Sequence, residues 1–222
     1  MINRLLSRFQ RPESGWDPVG IDHAEVYAAA EWVSVDEGLL DRLEAAIGPL
    51  SGRRVLDLGG GPGQYSAAMA RRGAVVTWHD ISRRYLQIAR ARISAEGLSV
   101  EFSLGYLEEA SRFLDLPFDL VFNRICWRYC LADGAFADLV YGLVAPGGAG
   151  YVDSPHADEV LRHGWTDAGI RYRLNAILGI KIGHPLPPPG RITSLLRRNG
   201  TSTSLTEWST AENERVLFIK GR

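Results

Sequence analysis

Polar and apolar positions alternate between two periods along most of the chain. Arg53–Leu58, Ala74–His79, Ser99–Leu104, Phe118–Asn123 and Ala149–Asp153 are short, mostly apolar runs of strand character. Between them, Gln64–Arg72, Ser82–Glu96, Leu107–Leu114 and Asp133–Val144 read as helices. Five strands alternating with helices predict a parallel sheet wound on both faces, because a parallel return needs a crossover long enough to hold a helix. Two helices precede this unit. Asp22–Trp32 and Asp36–Ile47 open on acidic residues suited to N-caps, and Leu39, Leu40, Leu43 and Ile47 recur at helical spacing up to Gly48-Pro49.

Beyond Asp153 the pattern changes. His156–Ile182 reads as helix with two breaks and runs into the proline-stiffened stretch His184–Gly190, so residues 155–190 are expected as an inserted lid. A short helix, Ile192–Arg198, stops at Gly200, and strands Ser202–Ser209 and Arg215–Lys220 flank the turn Ala211–Glu214. Strands so close in sequence pair antiparallel. The chain, 1–222, is expected as one domain with residues 1–50 as an N-terminal helical cap.

Composition narrows the functional classes. The 222 residues are 45% hydrophobic and 23% charged, ordinary proportions for a folded globular chain, which removes disordered, collagen-like and coiled-coil readings. Twenty-five basic and 26 acidic side chains give a formal charge of −1, so no general field draws the chain to nucleic acid or an anionic membrane. Cys126 and Cys130 are too few for a disulfide framework and read as buried, reduced thiols; no Cys/His, EF-hand or H-E-x-x-H spacing points to a metal. Met1–Arg11 lacks the apolar core of a signal peptide and no run approaches the ~18 residues of a membrane span. A cytoplasmic protein is expected.

The chemistry concentrates at Val55–Gly63, where a strand runs into Asp57-x-Gly59-x-Gly61-x-Gly63 and then a helix. Glycine lets a backbone turn tightly and approach a ligand closely, and the end of the first strand is where open α/β sheets bind ligands. A dinucleotide fingerprint fits poorly, since Gly61-x-Gly63-x-x-Ser66 lacks the third glycine and starts late after the strand. A P-loop is excluded by Gly63-Gln64-Tyr65, which has no phosphate-binding lysine.

From Arg53 to Gly148 the sequence resembles the class I S-adenosylmethionine-dependent methyltransferases, whose first motif is an acidic residue followed by G-x-G-x-G after strand one. The resemblance implies a Rossmann-like, seven-stranded sheet of order 3-2-1-4-5-7-6 with strand 7 antiparallel, and the terminal hairpin supplies its last two strands. It further implies that Asp57 helps hold the methionine end of S-adenosylmethionine, that Gly59, Gly61 and Gly63 admit the cofactor, and that Asp80, beside Ile81, meets the ribose hydroxyls. A cap for the following helix is the alternative role for Asp80. Phe102–Tyr106 occupies the place where many members carry Gly-Asp for the adenine amino group; here the acid is missing. Tyr106, next to Leu107, is the candidate adenine contact, with Glu108 as a substitute, and simple packing is the alternative for Tyr106.

Methyl transfer from a sulfonium needs mainly alignment, with a base only where the acceptor must lose a proton. The stretch after strand four, Asn123–Cys130, lacks the Asn/Asp-Pro-Pro-aromatic motif of relatives that methylate base amino groups. Asn123 is placed beside the methyl group, and Arg124, Trp127 and Arg128 (or Tyr129) are candidate substrate contacts, the arginines as carboxylate clamps or surface ion pairs. His156 is the first candidate base, followed by His184 and His23, each also compatible with a structural role. Tyr27 and Trp32 either cover the cofactor or pack a helix pair. The reading is an S-adenosylmethionine-dependent methyltransferase of a small-molecule acceptor, releasing S-adenosylhomocysteine, with no nucleic-acid, membrane or metal partner and a homodimer as the assembly considered. The alternative is a non-catalytic S-adenosylmethionine-binding sensor or partner subunit.

Overall fold

A computed structural model describes residues 9–112, 114, 117–157, 166–178, 180–200 and 204–222. Seven strands form one mixed sheet of order β3-β2-β1-β4-β5-β7-β6: β1 (Arg54–Leu58), β2 (Val75–Asp80), β3 (Val100–Leu104), β4 (Phe118–Arg124), β5 (Val144–Pro155), β6 (Ser204–Glu207) and β7 (Asn213–Ile219). Strand 7 is antiparallel, and helices pack around the sheet. The expected order is the observed one. The chain divides into two compact units, Gln10–Phe122 and Asn123–Arg222.

In Gln10–Phe122, β1 pairs in parallel with β2 and with β4, and β2 with β3. The helices of this unit are α1 (Ile21–Trp32), α2 (Glu37–Ile47), α3 (Gln64–Arg71) and α4 (Arg83–Ala95). Asp36 caps α2 as expected, its carboxylate accepting the Leu39 N–H at 2.9 Å, and Leu39, Leu40 and Leu43 are buried. Asp22 does not cap α1. Gly20 holds the N-cap position, and Asp22 lies in the first turn, where a carboxylate favours the positive end of the helix dipole. α1 packs through Ala24 onto a cluster of Ala67, Trp78, Tyr85, Ala89 and Ile93, which joins α3 and α4 to β2. After β3, Leu107–Arg112 forms a tight 3-10 turn where a longer helix, to Leu114, was expected.

In Asn123–Arg222, a 3-10 turn (Cys126–Tyr129) precedes α5 (Asp133–Leu143), and α6 (Asp167–Leu178) and α7 (Arg191–Arg197) follow β5. β5 is longer than expected because pairing with β7 continues from Ala149↔Ile219 to Pro155↔Asn213. The buried Glu214 carboxylate accepts the Thr193 N–H at 2.7 Å and the Ile192 N–H at 3.3 Å, so β7 supplies the cap of α7. Of the expected lid, 158–165 and 179 lie outside the described residues, as do 201–203 of the strand expected from Ser202. What is described of the insertion is tied down within its own unit. Ala157 N–H donates to Pro187 O at 3.0 Å, and Lys181 Nζ lies 2.9 Å from Asp133 Oδ1, both side chains buried. No helix among the described residues is long and apolar enough to cross a membrane.

Removing one partner of a buried ion pair strands the other's charge, at ~3–5 kcal/mol. Lys181→Met is therefore expected to lower the thermal midpoint by roughly 6–20 °C, at ~2–4 °C per kcal/mol for a chain of this size. A Lys181→Met variant melting with the wild type in thermal unfolding would contradict the assignment.

Candidate active site

The glycine loop is held from its outer side by residues that carry no motif. Gly59 and Gly60 N–H groups both donate to His79 O, at 2.7 and 3.2 Å, so the end of β2 fixes the start of the loop. Gly61 and Gly63 have φ of +50° and +86°, the left-handed region that disfavours a side chain. A Cβ on Gly63 would lie 2.7 Å from Ala89 Cβ, and one on Gly60 would lie 2.2 Å from the Trp78 ring. These glycines let α4 and Trp78 close on the loop from behind. Gly61 differs: a Cβ there meets nothing within 4 Å, so that side of the loop faces open space. Two indole N–H groups point at the loop's carbonyls, Trp78 Nε1 to Gly61 O at 3.0 Å and Trp32 Nε1 to Pro62 O at 2.9 Å.

Two carboxylates flank this loop. Asp57, on β1, is buried and accepts the Ser66 hydroxyl at 2.6 Å. Asp80, at the end of β2, accepts the Gly61 N–H at 2.9 Å on one oxygen and the Ser82 N–H at 2.8 Å on the other. Burial pushes the Asp80 carboxyl up to about 6, against the opposing pull of those backbone donors; the nearby Asp17 adds to the rise. Asp80 therefore braces the loop, while Ser82 itself caps α4 by accepting the Tyr85 N–H at 3.2 Å. Ile81 lies between them.

The turn after β3 is fixed to the same strand. Gly105 N–H donates to Asp80 O at 3.0 Å, and the buried His79 ring reaches Tyr106 O through Nε2 at 3.1 Å and Ser103 Oγ through Nδ1 at 3.0 Å. A carbonyl can only accept, so Nε2 carries the proton. Burial lowers the His79 pKa, the ring is neutral, and Nδ1 accepts from the Ser103 hydroxyl. Leu107 is buried beneath this turn.

An N-terminal strap of Gln10–Val19, which sequence reasoning did not single out, runs between the ends of β2 and β3. Asp17 accepts the Arg84 N–H at 2.8 Å and the Ser82 hydroxyl at 3.0 Å. Arg83 donates to Pro12 O at 3.0 Å, Arg11 pairs with Glu109 at 2.6 Å, and the Tyr106 hydroxyl donates to Gln10 O at 2.6 Å. The available signal was compositional: Trp16, Asp17 and the Gly15 and Gly20 punctuation in an otherwise polar lead-in.

The expected covers pack as helix contacts. Tyr27 lies between His23 and Tyr85, with ring centroids at 5.8 and 5.9 Å, within the α1–α4 cluster, and the Trp32 indole N–H is directed at the loop's backbone.

The stretch after β4 belongs to the second unit. Ile125 is the one non-glycine residue with positive φ, 68°, among the described residues, a strained conformation for a β-branched side chain. Its N–H is held by Asp153 O at 2.6 Å, and Asn123 Nδ2 lies 2.8 Å from Cys126 Sγ. Three expected substrate contacts are otherwise engaged. Trp127 is fully buried, its ring against Phe136 and its N–H donated to Asp133 at 3.2 Å, which makes it a core residue. The Arg124 guanidinium lies 3.6 Å from the buried Asp153 carboxylate, which also holds Arg215 at 3.4 Å. Arg128 donates twice to His184 O, at 3.0 and 2.7 Å. His184 stacks edgewise on Tyr129 with centroids 4.9 Å apart; burial, Arg128 and Lys181 lower its pKa and keep it neutral. His156, just past β5, is half-buried; its backbone N–H donates to Glu212 O at 3.1 Å, and its ring Nδ1 lies 3.4 Å from Ala157 O.

Known proteins resemble the chain in sequence and fold. A methyltransferase-domain family model matches residues 55–148. The ubiquinone biosynthesis O-methyltransferase of Xylella fastidiosa (strain 9a5c) is 33% identical over 67% of this chain and 58% of that protein. The tRNA 5-carboxymethoxyuridine methyltransferase of Escherichia coli (strain K12) is 28% identical over 60% of this chain and 51% of that protein. The chain thus spans somewhat over half the length of these curated relatives. Among solved structures, a Haemonchus contortus N-methyltransferase in complex with S-adenosylhomocysteine matches with a TM-score of 0.61 at 17% identity, covering 84% of this chain and 53% of that one. That match shows the fold.

The raised Asp80 pKa fixes the sign of a pH effect. The folded protein keeps the Asp80 proton up to about pH 6, whereas the unfolded chain releases it near 3.8, so this group's contribution falls as pH rises through that window. In paired denaturant titrations, Asp80→Asn should gain ~3 kcal/mol on the wild type between pH 3 and pH 7. A gap that closes or reverses with pH would refute the buried-carboxylate assignment.

Proposed function

Because the chain is a member of the class I S-adenosylmethionine-dependent methyltransferase superfamily, we propose that it transfers a methyl group from S-adenosylmethionine to a small-molecule acceptor. The observation that carries the reading is the open face of Gly61 between two buried carboxylates, Asp57 and Asp80. Residues and cofactor fit chemically. Asp80 keeps acceptor capacity beyond its two backbone donors, which suits a pair of ribose hydroxyls, and the buried Gln64 Oε1 beside the loop lacks a hydrogen-bond partner. We assign Asp57, Gly59, Gly61, Gly63, Asp80, Ile81, Tyr106 and Leu107 to the cofactor.

S-adenosylmethionine supplies an activated methyl group, so the protein's task is alignment and exclusion of water. Positioning of that kind is worth up to ~7–11 kcal/mol of barrier. The braced loop performs it: His79, Trp78, Trp32 and Asp80 fix the glycine backbone through hydrogen bonds. Where the acceptor is a hydroxyl that must lose its proton, a histidine is the candidate base, His156 first and His184 after it. The near-zero net charge supports a small acceptor over tRNA, because polyanion binding draws most of its affinity from phosphate neutralisation. The O-methyltransferase relative points the same way.

Titration calorimetry of the full chain should give micromolar binding of S-adenosylmethionine and S-adenosylhomocysteine and none of NADH. Gly61→Asn, whose Cβ meets no neighbour and which tolerates the left-handed conformation at this position, should stay folded and bind at least ~100-fold more weakly. Normal binding by that folded variant would remove the reading. Labelled methyl appearing in bulk tRNA, and in no hydroxylated small molecule, would overturn the acceptor class.

A further inference from the structure

Helices α1 and α4 run side by side in the same direction, pinned where the Arg84 guanidinium donates to Val19 O and, further along, where that of Arg92 donates to Ala28 O at 3.3 Å. Between these pins the helices and the strap enclose a cleft of about 600 Å³, the size of a small-molecule site. It is separate from the glycine loop. α4 turns Tyr85, Ala89 and Ile93 inward, with Ala89 against Gly63, and presents Arg84, Ile88 and Ala91 to the cleft on its opposite face.

The charge lining this cleft is unbalanced. Arg83 donates to Pro12 O at 3.0 Å and Arg92 to Ala28 O, and neither has a carboxylate within ion-pair distance among the described residues. A carbonyl accepts a hydrogen bond but brings no net charge to a half-buried guanidinium. Asp17 is already committed: its carboxylate, 6% exposed, takes the Val19 N–H at 2.9 Å, the Ser82 hydroxyl at 3.0 Å and the Arg84 N–H at 2.8 Å, and the Arg84 guanidinium stands off at 3.7 Å. The other acid is the exposed Glu25. Three guanidiniums against two carboxylates leave an excess of one positive charge. The floor between the charges is apolar, built from Ile21, Ala24, Ile88 and Ala91.

We propose that the α1–α4 cleft binds an amphipathic monocarboxylate, its anionic head held by Arg83 and Arg84 at the strap end and its hydrocarbon body laid over Ile21, Ile88 and Ala91. A guanidinium carries five N–H donors in a planar fork that matches a carboxylate, and the printed contacts of these two arginines leave most of those donors unspent. Their heads are already pinned to the strap, so little side-chain freedom is lost on binding. The charge excess of one suits a monoanion, and Glu25 on the same wall repels anything more highly charged. The site does not depend on the reading of S-adenosylmethionine as cofactor.

The test titrates the full chain with hexanoate and follows the backbone amide shifts, with acetate and hexylammonium as paired probes. Hexanoate should saturate with a Kd of about 1 mM or tighter and shift the amides of 21–25 and 83–92. Acetate, which keeps the charge and loses the body, should bind at least ~10-fold more weakly, and hexylammonium should not bind. Glu25→Gln, which raises the charge excess, should tighten hexanoate about two- to fivefold. Ile88→Trp, which fills the floor, should weaken it about tenfold and leave S-adenosylhomocysteine binding unchanged. The shift map and Glu25→Gln decide the matter even if Ile88→Trp does not fold. Hexanoate that does not saturate, that shifts amides elsewhere, that is matched by hexylammonium or that is displaced by S-adenosylhomocysteine would overturn the proposal. A chain that binds hexanoate at these residues and no S-adenosylhomocysteine would remove the cofactor reading and leave this site standing.

Discussion

A carboxylate in a dry environment constrains everything around it, because each of its oxygens must find donors or the group must give up its charge. At the end of β2, Asp80 meets this constraint by drawing the Gly61 and Ser82 N–H groups onto its two oxygens. The first contact fixes the glycine loop and the second fixes the entry to α4, whose N-terminal dipole further favours an anion. Asp17 then settles over the same helix start from the strap. Three segments that are separate in sequence are thereby referred to one residue. The penalty is visible in the raised pKa, since backbone donors offset only part of the desolvation.

A second buried carboxylate organises the Asn123–Arg222 unit in a comparable way. Asp153 on β5 takes Asn213 Nδ2 at 2.7 Å and lies within 3.6 Å of the Arg124 and 3.4 Å of the Arg215 guanidinium, while its backbone oxygen restrains the strained Ile125. Strain of this kind persists only where neighbours over-determine the backbone. Here they do: the Ile125 N–H is held, and the following 3-10 turn is anchored by buried Trp127 and by Arg128 on the insertion. The exposed Tyr129 side chain is thus carried on a turn whose backbone is held on both sides.

The fold was largely legible in the sequence because its determinants are local and periodic. The apolar runs, the Asp36 cap and the Gly59–Gly63 cluster each act within a few residues, and the close terminal strands leave antiparallel pairing as the one option. Asp80 illustrates where local reading stops: Ser82, not Asp80, takes the helix cap, and the Asp80 side chain instead braces the loop and the helix entry at once. The arginines show a different limit. Arg124 and Arg128 read as clamps from their position, yet their partners, Asp153 and His184 O, are 29 and 56 residues away. Nothing at the sequence level announces such distant acceptors. Asp22 failed as a cap because Gly20 offered an unhindered N-cap two residues earlier.

The glycine loop itself explains why its support had to come from elsewhere. Glycines give a ligand room but contribute no side chain to hold their own shape, so a loop rich in them loses the most conformational freedom on folding. Trp32, Trp78 and His79 take over that role through hydrogen bonds to loop backbone atoms, and none of the three belongs to a recognisable motif. Under the proposed function this division has a thermodynamic consequence. The loop and the buried Asp80 are held by the protein's own backbone and indole donors, so ribose hydroxyls that reach Asp80 meet an acceptor whose dehydration cost is part of folding. The affinity gained at the site and the stability lost at Asp80 are then two expressions of one buried charge.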